Sequence, residues 1–109
     1  MRGTMITVRP FKGNYTHGYT VEGHADFAVH GQDIVCAAVS ALTQTTLMAL
    51  QRYSTVEAIA EPGNMQVDVT NPGGYTGLLI SSMINGLSHI AQAYPQYLHV
   101  EKEKPHDKN

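Results

Sequence analysis

Residues 33–53 read DIVCAAVSALTQTTLMALQRY, and the way this stretch folds decides how the rest of the chain is arranged. It holds neither Gly nor Pro, so nothing in it interrupts a helix. Asp33 is a good N-cap residue type placed directly before the apolar run. Ile34, Ala38, Ala41, Thr45 and Met48 recur at helical spacing on one face, and Cys36, Ser40, Thr43 and Leu47 recur on nearly the opposite face. The spacing predicts a helix capped by Asp33 and continuing to Tyr53.

Outward from this helix the pattern alternates. Upstream, Met5–Arg9 reads as a strand, KGN supplies a turn, and the stretch from Tyr15 alternates again as a second strand. Residues 24–32, HADFAVHGQ, have no stable period and read as a loop of functional length. Downstream, residues 55–70 read strand, turn, strand, with Pro62, Gly63 and Asn64 at the bend. Residues 71–74, NPGG, break the chain before residues 75–97, which read as a second helix that carries Leu79, Met83, Ile90 and Tyr94 and is ended by Pro95. Residues 97–102, YLHVEK, read as a last strand. The order β-β-α-β-β-α-β specifies an α+β two-layer sandwich, two helices packed on a mostly antiparallel sheet. All 109 residues form one domain, with residues 103–109 expected as a flexible tail.

Composition narrows the function classes. Hydrophobic residues make up 42% and charged residues 15%, which suits an ordered globular chain. Seven basic residues face nine acidic ones, and none of the basic ones lies between Tyr53 and Val100. A phosphate-tracking groove needs several cations on one face, so direct nucleic-acid binding is not expected. No uninterrupted apolar run of spanning length and no signal-peptide pattern is present, so no membrane association is expected. One cysteine cannot form an internal disulfide, and the expected setting is the reducing cytoplasm. Neither predicted helix carries a charge along its middle, so one of them is expected to bury a face against a second copy in a homodimer.

The chemistry gathers around that cysteine. A thiolate at the third position of a helix capped by Asp33 would feel the positive end of the helix. His24, twelve residues upstream, ends the second strand and can fold back to exchange a proton with the thiol. Asp33 caps the helix, orients His24 or shapes the substrate cleft. Ser40, one turn beyond Cys36, bonds its own backbone or points a hydroxyl toward the sulfur or a bound carbonyl oxygen. Gly23 permits a bend or close approach at the strand end, and Gly31 serves as a hinge or turn residue before the cap. The amides of Cys36 and Ala37 are candidate oxyanion donors, and residues 25–32 a candidate lid. The opposing reading is a small buried thiol beside an incidental imidazole. His24, His30 and Cys36 match no compact zinc pattern, so no metal and no cofactor is expected.

The run Gly23-His24-Ala25, with Gly31-Gln32-Asp33-Ile34-Val35-Cys36-Ala37-Ala38-Val39-Ser40 after a loop, resembles the ribosomal-processing cysteine proteases, the Prp family. GLSHIAQAYPQYLHV is similar to the family's C-terminal segment, and the resemblance spans nearly all of residues 5–102. The loop DFAVH departs from the glycine- and acid-containing loops common in that family. The resemblance implies a cytoplasmic, homodimeric cysteine endopeptidase. Its substrate would be the precursor of large-subunit ribosomal protein number twenty-seven, from which it removes a short N-terminal extension ending in aromatic residues before a small one. It also implies Cys36 as nucleophile, His24 as general base and acid, and Asp33 and Ser40 in support. Two rival readings remain open: a non-catalytic ribosome assembly factor, and a thiol redox sensor that uses Cys36 without His24.

Overall fold

The computed structural model describes residues 5–23, 30–61 and 63–105, with the backbone alone for residues 30–33. Strands β1 (Ile6–Lys12) and β2 (Thr16–Glu22) form the opening hairpin. The Gly13 N–H closes it by donating to the Thr16 carbonyl at 2.9 Å. Helix α1 (His30–Tyr53), strands β3 (Thr55–Glu61) and β4 (Asn64–Thr70), helix α2 (Gly74–Ala93), strand β5 (Leu98–Val100) and the two-residue β6 (Lys104–Pro105) follow. The sheet order is β3-β4-β2-β1-β5, with β6 also on β1. Neighbours run antiparallel except that β5 and β6 lie parallel to β1. The α+β two-layer architecture expected from the pattern is the one observed.

Strand register explains the layering. Ile6, Val8 and Pro10 of β1, Tyr19 and Val21 of β2, and Met65, Val67 and Val69 of β4 share one face because their positions are paired across the sheet. Helices α1 and α2 cover that face, and Val35, Val39, Leu47, Leu50, Ile80, Met83 and Leu87 complete a single buried cluster. Each such side chain withdrawn from water contributes roughly 1.5–3 kcal/mol. The opposite face carries Arg9 paired with Glu22 and Glu101. Pro10 is tolerated inside a strand flanked on both sides because β5 pairs with residues 6–8 and β6 with 11–12, so it falls in the gap between them.

Helix α1 shows which of its two faces turns inward. Val35, Val39, Thr43, Leu47 and Leu50 are buried, whereas Ile34, Met48 and Tyr53 stay exposed. Residues Ile34–Tyr53 are long and apolar enough to cross a bilayer on length and composition. In this fold the inward stripe packs on the sheet instead. Its buried polar groups are satisfied within the layer: Thr43 and Thr46 hydroxyls donate to the carbonyls four residues back, and the Tyr19 hydroxyl donates to the Thr43 carbonyl at 2.8 Å. Burial pushes the Tyr19 phenol up, out of reach of ordinary titration.

Two expectations need correction. Helix α1 starts at His30, three residues before Asp33. Asp33 is therefore inside the first turn and not its cap, and Gly31 is a helical residue and not a hinge. Of the tail expected at residues 103–109, residues 103–105 are paired, and residues 106–109 lie outside the described residues. Lys104 and Pro105 pair with Phe11 and Lys12, and Glu103 Oε2 lies 3.3 Å from Nε2 of the buried His17. Main-chain pairing to β1 and that side-chain contact hold residues 103–105, features that their charged composition conceals.

Candidate active site

A cleft of about 420 Å³ opens at the end of the sheet, against the first half of α1. One wall comes from Cys36, Val39, Ser40, Thr43 and Gln44 of α1. The other comes from the ends of four strands: Ile6, Val21 with Gly23, Ala60 with Glu61, and Asn64 with Met65. Cys36 is a free thiol, half-buried, with its inner side packed on the core cluster. Ser40 lies one turn further along on the same wall and is exposed. The i, i+4, i+8 spacing of Cys36, Ser40 and Gln44 sets them along one stripe, each about 6 Å of helix rise from the next.

The start of α1 at His30 changes what the helix can do for the sulfur. Cys36 is the seventh helical residue, in the second turn. The unpaired N–H groups and the positive potential of a helix belong to its first turn. The amides of Cys36 and Ala37 point along the helix toward the carbonyls of Gln32 and Asp33, so they are not free to hold an oxyanion. Ala37 is exposed on α1 outside the cleft lining. Neutral donors that do face the cleft are the Ser40 hydroxyl and the carboxamides of Gln44 and Asn64.

Gly23 has a structural duty at the rim. It sits at φ +96°, in the region closed to L side chains, and its N–H donates to the Gly63 carbonyl at 3.0 Å. A Cβ there would lie 2.2 Å from the Met5 carbonyl oxygen. This bend sends the chain out of β2 at the cleft wall, and His24 is the next residue. His24 itself, and residues 25–29 of the expected lid, lie outside the described residues; the remaining lid positions 30–32 are the first turn of α1.

The sequence reading missed Ala60, Glu61 and Asn64, the turn region of the β3–β4 hairpin. No local pattern marks them, because they reach the cleft only once β4 has paired with β2. Among the described residues no group of three or more His, Cys, Asp or Glu side chains is arranged to hold a metal.

The family model described as Cysteine protease Prp matches residues 5–99. Ribosomal processing cysteine protease Prp of Mycoplasma pneumoniae is 33% identical over 95 residues, covering 81% of this chain and 89% of the relative. The protein of the same name from Bacillus subtilis is 31% identical over 98 residues, covering 75% and 81%. Among solved structures, an essential ribosomal processing protease Prp from S. aureus, with a covalently linked product peptide, superposes with a TM-score of 0.75 at 22% identity, covering 89% of this chain and 98% of that one. The same protease with a substrate peptide gives a TM-score of 0.72 at 20% identity, with the same coverage, which extends the likeness in fold. Family match, identity over most of both chains and a shared fold agree: this chain belongs to the ribosomal processing cysteine protease family, Prp.

Proposed function

We propose that this protein is an endopeptidase that cuts the N-terminal extension from the precursor of large-subunit ribosomal protein number twenty-seven, using Cys36 and His24. The observation that carries the reading is the cleft itself. It exposes the thiol of Cys36 and the hydroxyl of Ser40 on one wall, and its other wall includes the bend at Gly23 from which His24 departs. The relatives' names and the peptide held by the S. aureus protease support a peptide substrate.

In this mechanism His24 takes the Cys36 proton and the thiolate attacks the scissile carbonyl carbon. The C–N bond breaks as the imidazolium returns the proton to the leaving amine, and an acyl-thioester remains on Cys36. Water, deprotonated by His24, then splits the thioester to a carboxylate and restores the thiol. Since α1 supplies no free amide at Cys36, the developing oxyanion takes its hydrogen bond from Ser40. Asp33, carried on the first turn of α1, keeps the supporting role that the resemblance implies. Activation of the sulfur falls to the imidazole, because the helix dipole acts one turn earlier.

The reading includes a cytoplasmic homodimer without direct nucleic-acid or membrane contact. Exposed Met48, Tyr53, Tyr75 and Leu78 on α1 and α2 support a buried helix face between two copies, and the ring pair Tyr53–Tyr75, 5.3 Å apart, ties the two helices together there. The stretch from Tyr53 to Val100, free of Lys and Arg, argues against a phosphate-binding surface.

The test is the mass of the products after the protein is mixed with the ribosomal precursor. Two fragments that sum to the precursor plus one water are expected, with cleavage after the aromatic residues. Cys36→Ser and His24→Ala proteins, folded by circular dichroism, should leave it intact. Cutting by the Cys36→Ser protein would remove the assigned nucleophile.

A further inference from the structure

Strand β3 is the outermost strand of the sheet, and among the described residues it pairs only with β4. The pairing is continuous from Thr55 to Glu61, without a bulge or a proline. In an antiparallel pair every second residue turns its N–H and C=O away from the partner. Among the described residues the outer edge of β3 therefore presents open main-chain groups at every second one of its seven residues, and six of its residues are exposed. This edge runs into the cleft, because Ala60 and Glu61 line it together with Cys36.

Free edges invite pairing, and charge decides with what. Glu57 and Glu61 flank Ile59 on the outer face of β3, and Asp68 of β4 sits opposite Glu57. Neither β3, β4 nor α2 carries a Lys or Arg to neutralise them. Symmetric antiparallel pairing of two copies about Ile59 would set Glu57 of each against Glu61 of the other, which is unfavourable. An incoming strand with cationic side chains meets no such opposition. We propose that the outer edge of β3 is the docking rail of the cleft: the substrate adds to it as an extended strand, and Glu57 and Glu61 select segments bearing Lys or Arg over segments bearing Asp or Glu. The inference rests on the peptidase reading for its occupant, an extended peptide. It adds the surface that aligns the peptide and the charge class that surface accepts.

The test uses a peptide spanning the extension and the first residues of the ribosomal precursor, made with Lys or Glu at each position before the scissile bond in turn. Binding to the full-length Cys36→Ala protein is measured by titration calorimetry, and cleavage by the wild type is followed in parallel. At one or two positions Lys should bind about two- to fivefold more tightly than Glu, the range for exposed ion pairs. Glu57→Lys/Glu61→Lys protein, which changes only exposed side chains, should reverse that preference. Single N-methylation along the peptide backbone should weaken binding at alternate residues. Unchanged Lys/Glu ratios in the double variant, N-methylation tolerated throughout, or no binding to the Cys36→Ala protein would each overturn the docking rail. Selective binding with an uncut peptide would instead overturn the peptidase reading and leave the rail standing.

Discussion

Replacing Gly23 with alanine tests whether the bend just before His24 is as constrained as the geometry indicates. At φ +96° an alanine is strained by about 1–2 kcal/mol. Its Cβ would also stand 2.2 Å from the Met5 carbonyl oxygen and 3.5 Å from Ile6 Cα, the first of these more than an ångström inside ordinary contact. Relief requires the start of β1 to move. There Ile6 is 2% exposed and donates its N–H to the Tyr97 carbonyl at 2.9 Å, so the movement loosens the junction of β1 with β5. Strain and displaced packing together predict a loss of about 2–4 kcal/mol, read from urea unfolding followed by far-UV circular dichroism. Because His24, the proposed base, directly follows this bend in the sequence, a shift of about 1 Å at Gly23 should lower kcat/KM on the precursor peptide by about 10²-fold under conditions where the variant is still folded. Unfolding within about 0.5 kcal/mol of wild type together with unchanged kcat/KM would refute the argument.

Burial holds the His17 imidazole below its ordinary 6.5, outweighing the opposing pull of Glu103. The unfolded chain therefore takes up a proton more readily than the folded one; stability should be full above about pH 6.5 and fall as the pH drops below it, and His17→Gln should remove that component from the unfolding midpoint measured against pH. Tyr19→Phe deletes the hydrogen bond to the Thr43 carbonyl and should cost about 1 kcal/mol in the same urea assay, with cleavage retained. Met48→Lys/Leu78→Lys, which charges the exposed apolar helix face, should convert a dimer to a monomer in sedimentation velocity; a dimer that persists would locate the interface elsewhere. Ser40→Ala should lower kcat more than it raises KM if its hydroxyl acts only on the developing oxyanion; an effect confined to KM would assign it to binding.

Helix and strand positions in this chain are legible from local pattern because burial on one face of a regular element leaves a period in the sequence. The two hairpins and the long helix follow from that, the stop at Pro95 follows from proline's backbone restriction, and the motif around Cys36 pointed to the family. Local pattern misplaced the start of α1, since Asp33 is a good cap type yet helical geometry extends to His30. It also left open which face of α1 turns inward, because Ile34 and Met48 are as apolar as Val35 and Leu47. Only tertiary structure settled those points, put β3 at the free edge of the sheet, and brought the hairpin ends of Ala60 and Asn64 opposite Cys36. Periodicity records how a residue sits within its own element, whereas a cleft is made of distances between elements, and those depend on strand order and register that no single stretch encodes.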